Sequence, residues 1–271
     1  MFNQNDFDMA CQFVYEKLPK NLYYSETNFK NAIKKAKDIL QNKKKYKPFA
    51  SGNAKLEKNI LIFDLPSVMT CACNCVKCYA KKAERLFQNT KEKRLYNFIL
   101  MEYAMINKNF YNKLMNIWKA HAEVHANDYK NPIIRIHASG DFYSENYKIF
   151  ILEFTKNVEF LEDLKIYTYS KQISNSEIDF INKNYKNFNI IKSMININGV
   201  YYVNYGNIDY LIKLSLILIK NKIKFRICDY KMTLDDKKKI KSHGILRRIT
   251  KGKCGKCVVC TCFSIVLFKE H

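Results

Sequence analysis

Apolar residues recur three and four positions apart in "DFDMACQFVYEKL" and again in "TNFKNAIKKAKDIL", the period of helices with one buried face. "NKKKYKPFASGN" interrupts that pattern with Pro48 and Gly52 and reads as a basic loop. "NILIFDLP" has the β-branched composition of a short strand and ends at Pro66. From about 79 to 128 the chain reads as helical and strongly charged, with neither Gly nor Pro. "PIIRIHASGD" is then a strand running into a turn, followed by a helix near 144 to 157. "LKIYTYS" and the helix "SNSEIDFINKNY" repeat the arrangement. "NFNIIKSMI" and "KIKFRICDY" supply two further strands, with an apolar helix at 207 to 221 between them.

Strands separated by helices predict parallel βαβ units. About five or six such units predict an α/β fold of the partial (β/α)6 barrel type. The chain divides on this reading into a helical N-terminal extension (1–57), the barrel (58–230) and a cysteine-rich C-terminal segment (231–271). In such barrels chemistry gathers on the loops at the C-terminal ends of the strands. A cysteine loop follows the first strand, "SGDF" the second and "SK" the third, so all three are expected at one mouth.

Composition narrows the class. No window approaches the roughly eighteen uninterrupted apolar residues of a membrane span. The opening "MFNQNDFDMA" lacks the basic and apolar regions of a secretory signal, so a cytoplasmic location is expected. In a reducing compartment, clustered cysteines read as metal ligands before disulfides. The chain has 10 cysteines, all but Cys11 and Cys228 lying in two groups, 71–78 and 254–262. The net charge of +22 could attract nucleic acid. The alternative is codon bias that inflates Lys, Asn, Ile and Tyr together; Arg, the better residue for shaped phosphate recognition, is scarce.

"TCACNCVKCYA" holds the sharpest chemistry. Cys71, Cys75 and Cys78 are spaced Cys-x3-Cys-x2-Cys, three thiolates for a [4Fe–4S] cluster that usually takes four, so one iron is left open. Cys73 alternates with them and is expected to point away. The alternative is a structural zinc bound by all four, although alternating Cys-x-Cys-x-Cys is poor tetrahedral geometry. At the strand end "RIHASGDF", small residues and Asp141 place a carboxylate where a cationic amine could approach; the plain reading has Asp141 capping the next helix. "CGKCVVCTC" places Cys254, Cys257 and Cys260 in a ferredoxin-type run. Cys228 is the expected fourth ligand there, Cys262 the alternative, and a zinc knob the competing centre. His121 and His125 in "HAEVH" read as solvent-facing, and His137 as a buried, hydrogen-bonded structural histidine.

The open cysteine triad resembles the radical S-adenosylmethionine (SAM) superfamily. "DLPSVMTC", "CYAKK", "RIHASGDFYS" and "YTYSK", in that order with a late cysteine cluster, resemble more closely the phage "gene product 88" family, itself radical-SAM-like. The likeness runs from about residue 58 to 262. It implies a cluster on Cys71, Cys75 and Cys78, with Ser139, Gly140 and Asp141 on the SAM side and Thr168, Ser170 and Lys171 lining the mouth. The superfamily often has an aromatic immediately before the last cysteine; here that position is Lys77, and Tyr79 after the cysteine joins the cofactor-side candidates. The implied activity is reductive cleavage of SAM to a 5′-deoxyadenosyl radical acting on an unknown substrate. It calls for a reductant such as flavodoxin or ferredoxin, and a second [4Fe–4S] cluster or zinc at the C-terminal cysteines. The rival expectation is a non-catalytic, zinc-stabilised nucleic-acid-binding phage protein.

Overall fold

The structure, a computed structural model, describes residues 2–19, 24–53, 56–71, 79–197, 200–203, 205–206, 208–228, 232–245 and 265–269. Two capped helices come first. In α1 (Gln4–Glu16) the Asn3 side chain accepts from the Asn5 and Asp6 amides. In α2 (Glu26–Leu40), Ser25 and Asn28 cap reciprocally, satisfying two amide donors the helix itself cannot.

A five-stranded sheet follows, in the order β1 (Ala50–Asn53), β2 (Leu56–Phe63), β3 (Ile133–Ile136), β4 (Lys165–Ser170) and β5 (Phe188–Lys192). β1 pairs antiparallel with β2, and the other neighbours are parallel. One register row crosses four strands, Phe63 to Ile136 to Thr168 to Ile190, so the strands finish nearly flush. The crossovers are α3 (Ser67–Thr70), α4 (Tyr79–Leu86), α5 (Gln88–Ile106) and α6 (Lys108–Asp128) after β2, α7 (Glu145–Asn157) after β3, and α8 (Asn175–Asn184) after β4.

Sequential strand order with right-handed crossovers puts every crossover on one side of the sheet. The packing agrees. Phe63, Ile134, Ile136, Ile166 and Ile190 share one core with buried residues of α1, α2, α5, α6, α7 and α8, centred on the fully buried Trp118. The alternate residues Ile60, Ile62, Ile133, Tyr167 and Ile191 face the other way and pack with Val266, as the two-residue period of strands requires.

Strand–helix alternation and a mostly parallel sheet are thus as expected, but no sheet among the described residues closes into a barrel. The alternation ends at β5. That strand leads into the hairpin β6 (Met194–Ile197) and β7 (Val200–Val203), and no helix intervenes. Among the described residues, "KIKFRICDY" contributes only β9 (Arg226–Ile227), in a separate sheet ordered β8 (Tyr205–Gly206), β10 (Val266–Lys269), β9. The apolar helix is α9 (Ile208–Lys220); with Phe225, Ile240 of α10 (Leu234–Ser242) and Leu267 it forms a second core. Successive β10 residues serve opposite sides: Leu267 enters this second core, while Val266 packs with the five-stranded sheet.

Among the described residues no helix is long and apolar enough to cross a membrane.

Candidate functional site

The loops leaving the C-terminal ends of β2, β3 and β4 are tied into one piece. After β2, Asp64 accepts the Ser139 amide at 2.9 Å, and the Leu65 amide donates to the Ser139 carbonyl at 3.1 Å. From the third loop, Gln172 Nε2 donates to the Thr70 carbonyl at 2.9 Å. Gly140, at φ +87°, passes so close to α3 that a Cβ there would sit 2.6 Å from Thr70 Oγ1 and 2.9 Å from Leu65 Cβ. Only a residue without a side chain fits that approach. Thr70 immediately precedes Cys71, which is half-buried at the end of α3.

Asp141 is the knot between the second and third loops. Its Oδ1 accepts from the Phe142 amide and the Ser170 hydroxyl, both at 2.8 Å, and Oδ2 accepts the Lys171 amide at 2.9 Å. It does not cap the next helix; Ser144 caps α7. Burial holds the Asp141 carboxyl above the usual carboxylate range, against hydrogen bonds from Lys171, Phe142 and Ser170 that pull it down. Ser139 and Ser170 are buried with it, and Ser170 Oγ also accepts the Gln172 and Ile173 amides. Thr168 lies in the helix-covered core, its Oγ1 3.0 Å from His137 Nδ1.

His137 is, as expected, a buried hydrogen-bonded residue, with Nε2 2.7 Å from the Tyr147 hydroxyl. Its backbone is left-handed, φ +60°, a strained setting for a residue with a side chain. That twist turns the chain out of β3 towards Ser139, while burial pushes the imidazole down to about 3 and keeps it neutral. The expectation for His125 needs correction. It is buried, and its Nε2 lies 2.8 Å from the Asn59 carbonyl, because the charged helix α6 lays its end against β2. His121 is half-buried, its ring 6.2 Å from that of Phe49.

A buried ionic network brackets the cysteine loop. Arg94 of α5 donates through Nη1 to Glu84 at 2.9 Å and to the Ala80 carbonyl at 3.2 Å, and through Nη2 to Asp64 at 3.2 Å. Glu84, fully buried, accepts from the Ser67 amide and hydroxyl at 2.8 and 2.9 Å and from the Ser139 hydroxyl at 3.3 Å. Ser67 precedes the cysteines and Ala80 and Glu84 follow them, so Glu84 and Arg94 join segments that lie on either side of residues 72–78. Asn97, one turn along α5, donates to the Asp64 carbonyl and accepts from Tyr46. Sequence reasoning missed Glu84 and Arg94, since charged residues on helical stretches look like a solvated exterior, and it missed Asp64, whose place just before "LPS" at a strand end was the available signal.

Cys73, Cys75, Cys78, Cys254, Cys257, Cys260 and Cys262 lie outside the described residues, as does the side chain of Tyr79. Among the described residues no group of three or more His, Cys, Asp or Glu is placed to hold a metal. Cys228 is half-buried, its amide donates to the Leu267 carbonyl at 2.9 Å, and it packs with Tyr169 and Ala138 against the cluster formed by Val266 and the second face of the sheet. Cys11 is remote in character: burial pushes its thiol up to about 12, so it makes a poor thiolate ligand.

The fold and these loops define an α/β protein in which the segments leaving β2, β3 and β4 meet at the C-terminal edge of a mostly parallel sheet. Residues 29–261 match the family described as Gene product 88, and the chain belongs to that family. No curated protein and no solved structure matches it.

Proposed function

We propose that this protein is a radical-SAM-type iron–sulfur enzyme. On this reading the sequential strands β2 to β5, helices on one side, are a sector of a partial barrel, and the mouth is the C-terminal edge. The single observation that carries it is the tying of three strand-end loops around Thr70. The Cys-x3-Cys-x2-Cys segment departs from the point where the Ser139–Asp141 turn and the Ser170–Gln172 turn meet.

The residues fit such a cluster in two respects: three thiols fall within eight positions, and the loop that bears them is anchored at both ends by Arg94 and Glu84. When bound, the cluster supplies one-electron reductive cleavage of a sulfonium carbon–sulfur bond. The chain's own share is positional. Gly140 lets the SAM-side turn lie against Leu65 and Thr70, just before the cysteines. Asp141 is assigned as a positioning residue, because its oxygens already receive three hydrogen bonds from the protein. Arg94 and Glu84 fix where the loop begins and ends.

The deciding experiment is anaerobic reconstitution. Metal and sulfide analysis should give at least about four irons per chain, equilibrium dialysis should detect SAM binding, and reduction should release 5′-deoxyadenosine. Protein that holds zinc without iron, or that neither binds nor cleaves SAM once reduced, would sink the proposal.

A further inference from the structure

The helix that follows the cysteine loop has two opposite faces. Ala80 and Glu84, four residues apart, are buried, Glu84 within the Arg94 network. Lys82 and Leu86, also four apart, lie on the reverse side, where Lys82, Arg85, Leu86 and Phe87 are all exposed. Leu86 is 63% and Phe87 58% exposed, adjacent large apolar side chains next to a lysine and an arginine. The buried side chains fix α4 to the body of the protein, so the outer face is a rigid presentation. At about 1.5 Å per residue, Leu86 stands about 10–12 Å along the helix from Tyr79, the residue after Cys78.

We propose that the outer face of α4, with Phe87, is the docking surface for a small acidic one-electron carrier protein of the flavodoxin or ferredoxin kind. The inference rests on the iron–sulfur reading above. An apolar centre with a charged rim is the anatomy of a transient protein interface, and aromatic anchors with Arg carry much of the energy in such contacts. The rim is basic, the complement of an acidic carrier, and complementary charge mainly raises the rate of productive encounter. Electron transfer needs the carrier near its acceptor, and this patch is one short helix from the cysteine loop. The step balances without other reagents: the carrier loses one electron, the cysteine-bound centre gains it, and no bond or proton is exchanged. A nucleic acid could also meet the basic residues, but Leu86 and Phe87 at the centre favour a protein.

The test compares the full reconstituted chain with Lys82→Glu/Arg85→Glu and with Leu86→Ser/Phe87→Ser. Bleaching of the visible absorbance is followed by stopped flow after mixing with dithionite or with a reduced flavodoxin, at low and high salt. Calorimetric titration of the flavodoxin against each chain gives binding directly. The expected result is a loss of about tenfold or more in flavodoxin-driven rate and affinity for both variants, with the dithionite rate unchanged. The wild-type flavodoxin rate should also fall as salt rises. Because the four positions are exposed, melting temperatures should stay close to wild type. Equal flavodoxin rates and affinities in all three chains overturn the docking surface. So does loss of binding to a short RNA or DNA in the variants while the flavodoxin rate holds. If dithionite itself bleaches nothing, the iron–sulfur reading fails before docking is at issue.

Discussion

Replacing Gly140 by Ala should damage both the fold and the site, by an amount the structure lets us apportion. The backbone there has φ +87°, and a left-handed conformation costs an L-residue about 1–2 kcal/mol. The new methyl would meet Thr70 Oγ1 at 2.6 Å and Leu65 Cβ at 2.9 Å, both closer than real Cβ contacts. Neither neighbour yields cheaply. Leu65 is fully buried, and Thr70 Oγ1 donates to the Pro66 carbonyl at 2.6 Å, a bond that rotation would break. Overpacking of this kind adds about 1–3 kcal/mol, for a total of about 2–5 kcal/mol. Gly244→Ala is the control, since Gly244 also has positive φ, +70°, but nothing lies within 4 Å of its would-be Cβ. It should lose only the conformational share, about 1–2 kcal/mol. Urea midpoints of the two variants measure the difference, and iron content after reconstitution shows whether displacing Thr70 disturbs Cys71. Equal destabilisation of the two variants would refute the close approach of the Ser139–Asp141 turn to Leu65 and Thr70.

Further outcomes follow from the same geometry. Arg94→Met leaves the fully buried Glu84 and the half-buried Asp64 without their cation and should cost about 3–5 kcal/mol in thermal unfolding; a change under about 1 kcal/mol would refute the network. His137, neutral in the fold, has its ring held down to about 3, whereas the unfolded chain takes up a proton near 6.5. Its contribution is therefore full above about pH 6.5 and is lost progressively as pH falls towards about 3, at most about 4–5 kcal/mol. His137→Asn, which tolerates the left-handed backbone, should flatten the urea midpoint between about pH 6.5 and 4; parallel pH profiles for variant and wild type would contradict this. Cys75→Ala should remove about four irons per chain while Cys73→Ala retains them, by metal analysis of reconstituted protein. Cys228→Ser should release the metal of the C-terminal cysteines and spare the first centre; unchanged total metal would reassign that ligand to Cys262.

Much of the architecture was readable from pattern alone because strands and helices here alternate cleanly. The β-branched runs at 60–63, 133–136 and 165–170 and the helices behind them are where periodicity placed them. What escaped was structure held by partners instead of pattern. β1 is "ASGN", small and polar, and is a strand because its backbone pairs with β2. Glu84, Arg94 and His125 are polar residues on helices that read as charged exteriors, and no local feature marks which of their faces will be covered. β10, in the apolar stretch "IVLFK", escaped because so short a run has no period to distinguish strand from helix, yet it is the central strand of the second sheet. At the candidate site, the order of the motifs along the chain anticipated their meeting at one edge. It did not anticipate that Asp141 and Ser170 would bond to each other.

Arginine carries more information here than total charge does. The chain has 47 basic residues, and only Arg85, Arg94, Arg135, Arg226, Arg247 and Arg248 are Arg. If coding bias sets the lysine content, an arginine is kept where a planar, forked cation does something an ammonium cannot. Arg94 meets that condition: a single side chain reaches Glu84, the Ala80 carbonyl and Asp64 at once. Arg135 meets it differently, with its guanidinium 5.3 Å from the Tyr169 ring centre and 6.0 Å from that of Tyr167. A stacked guanidinium of this kind suits a planar cation and gains from partial burial. Arg94, on a helix packed over one side of the sheet, ties Ala80 and Glu84 to Asp64. Arg135 alternates with Ile134 and so belongs to the opposite side, the one shared with Val266 and Cys228. The two arginines therefore differ by face: one ties polar groups beneath the helices at the C-terminal edge, and the other lies against two tyrosine rings on the side packed with Val266.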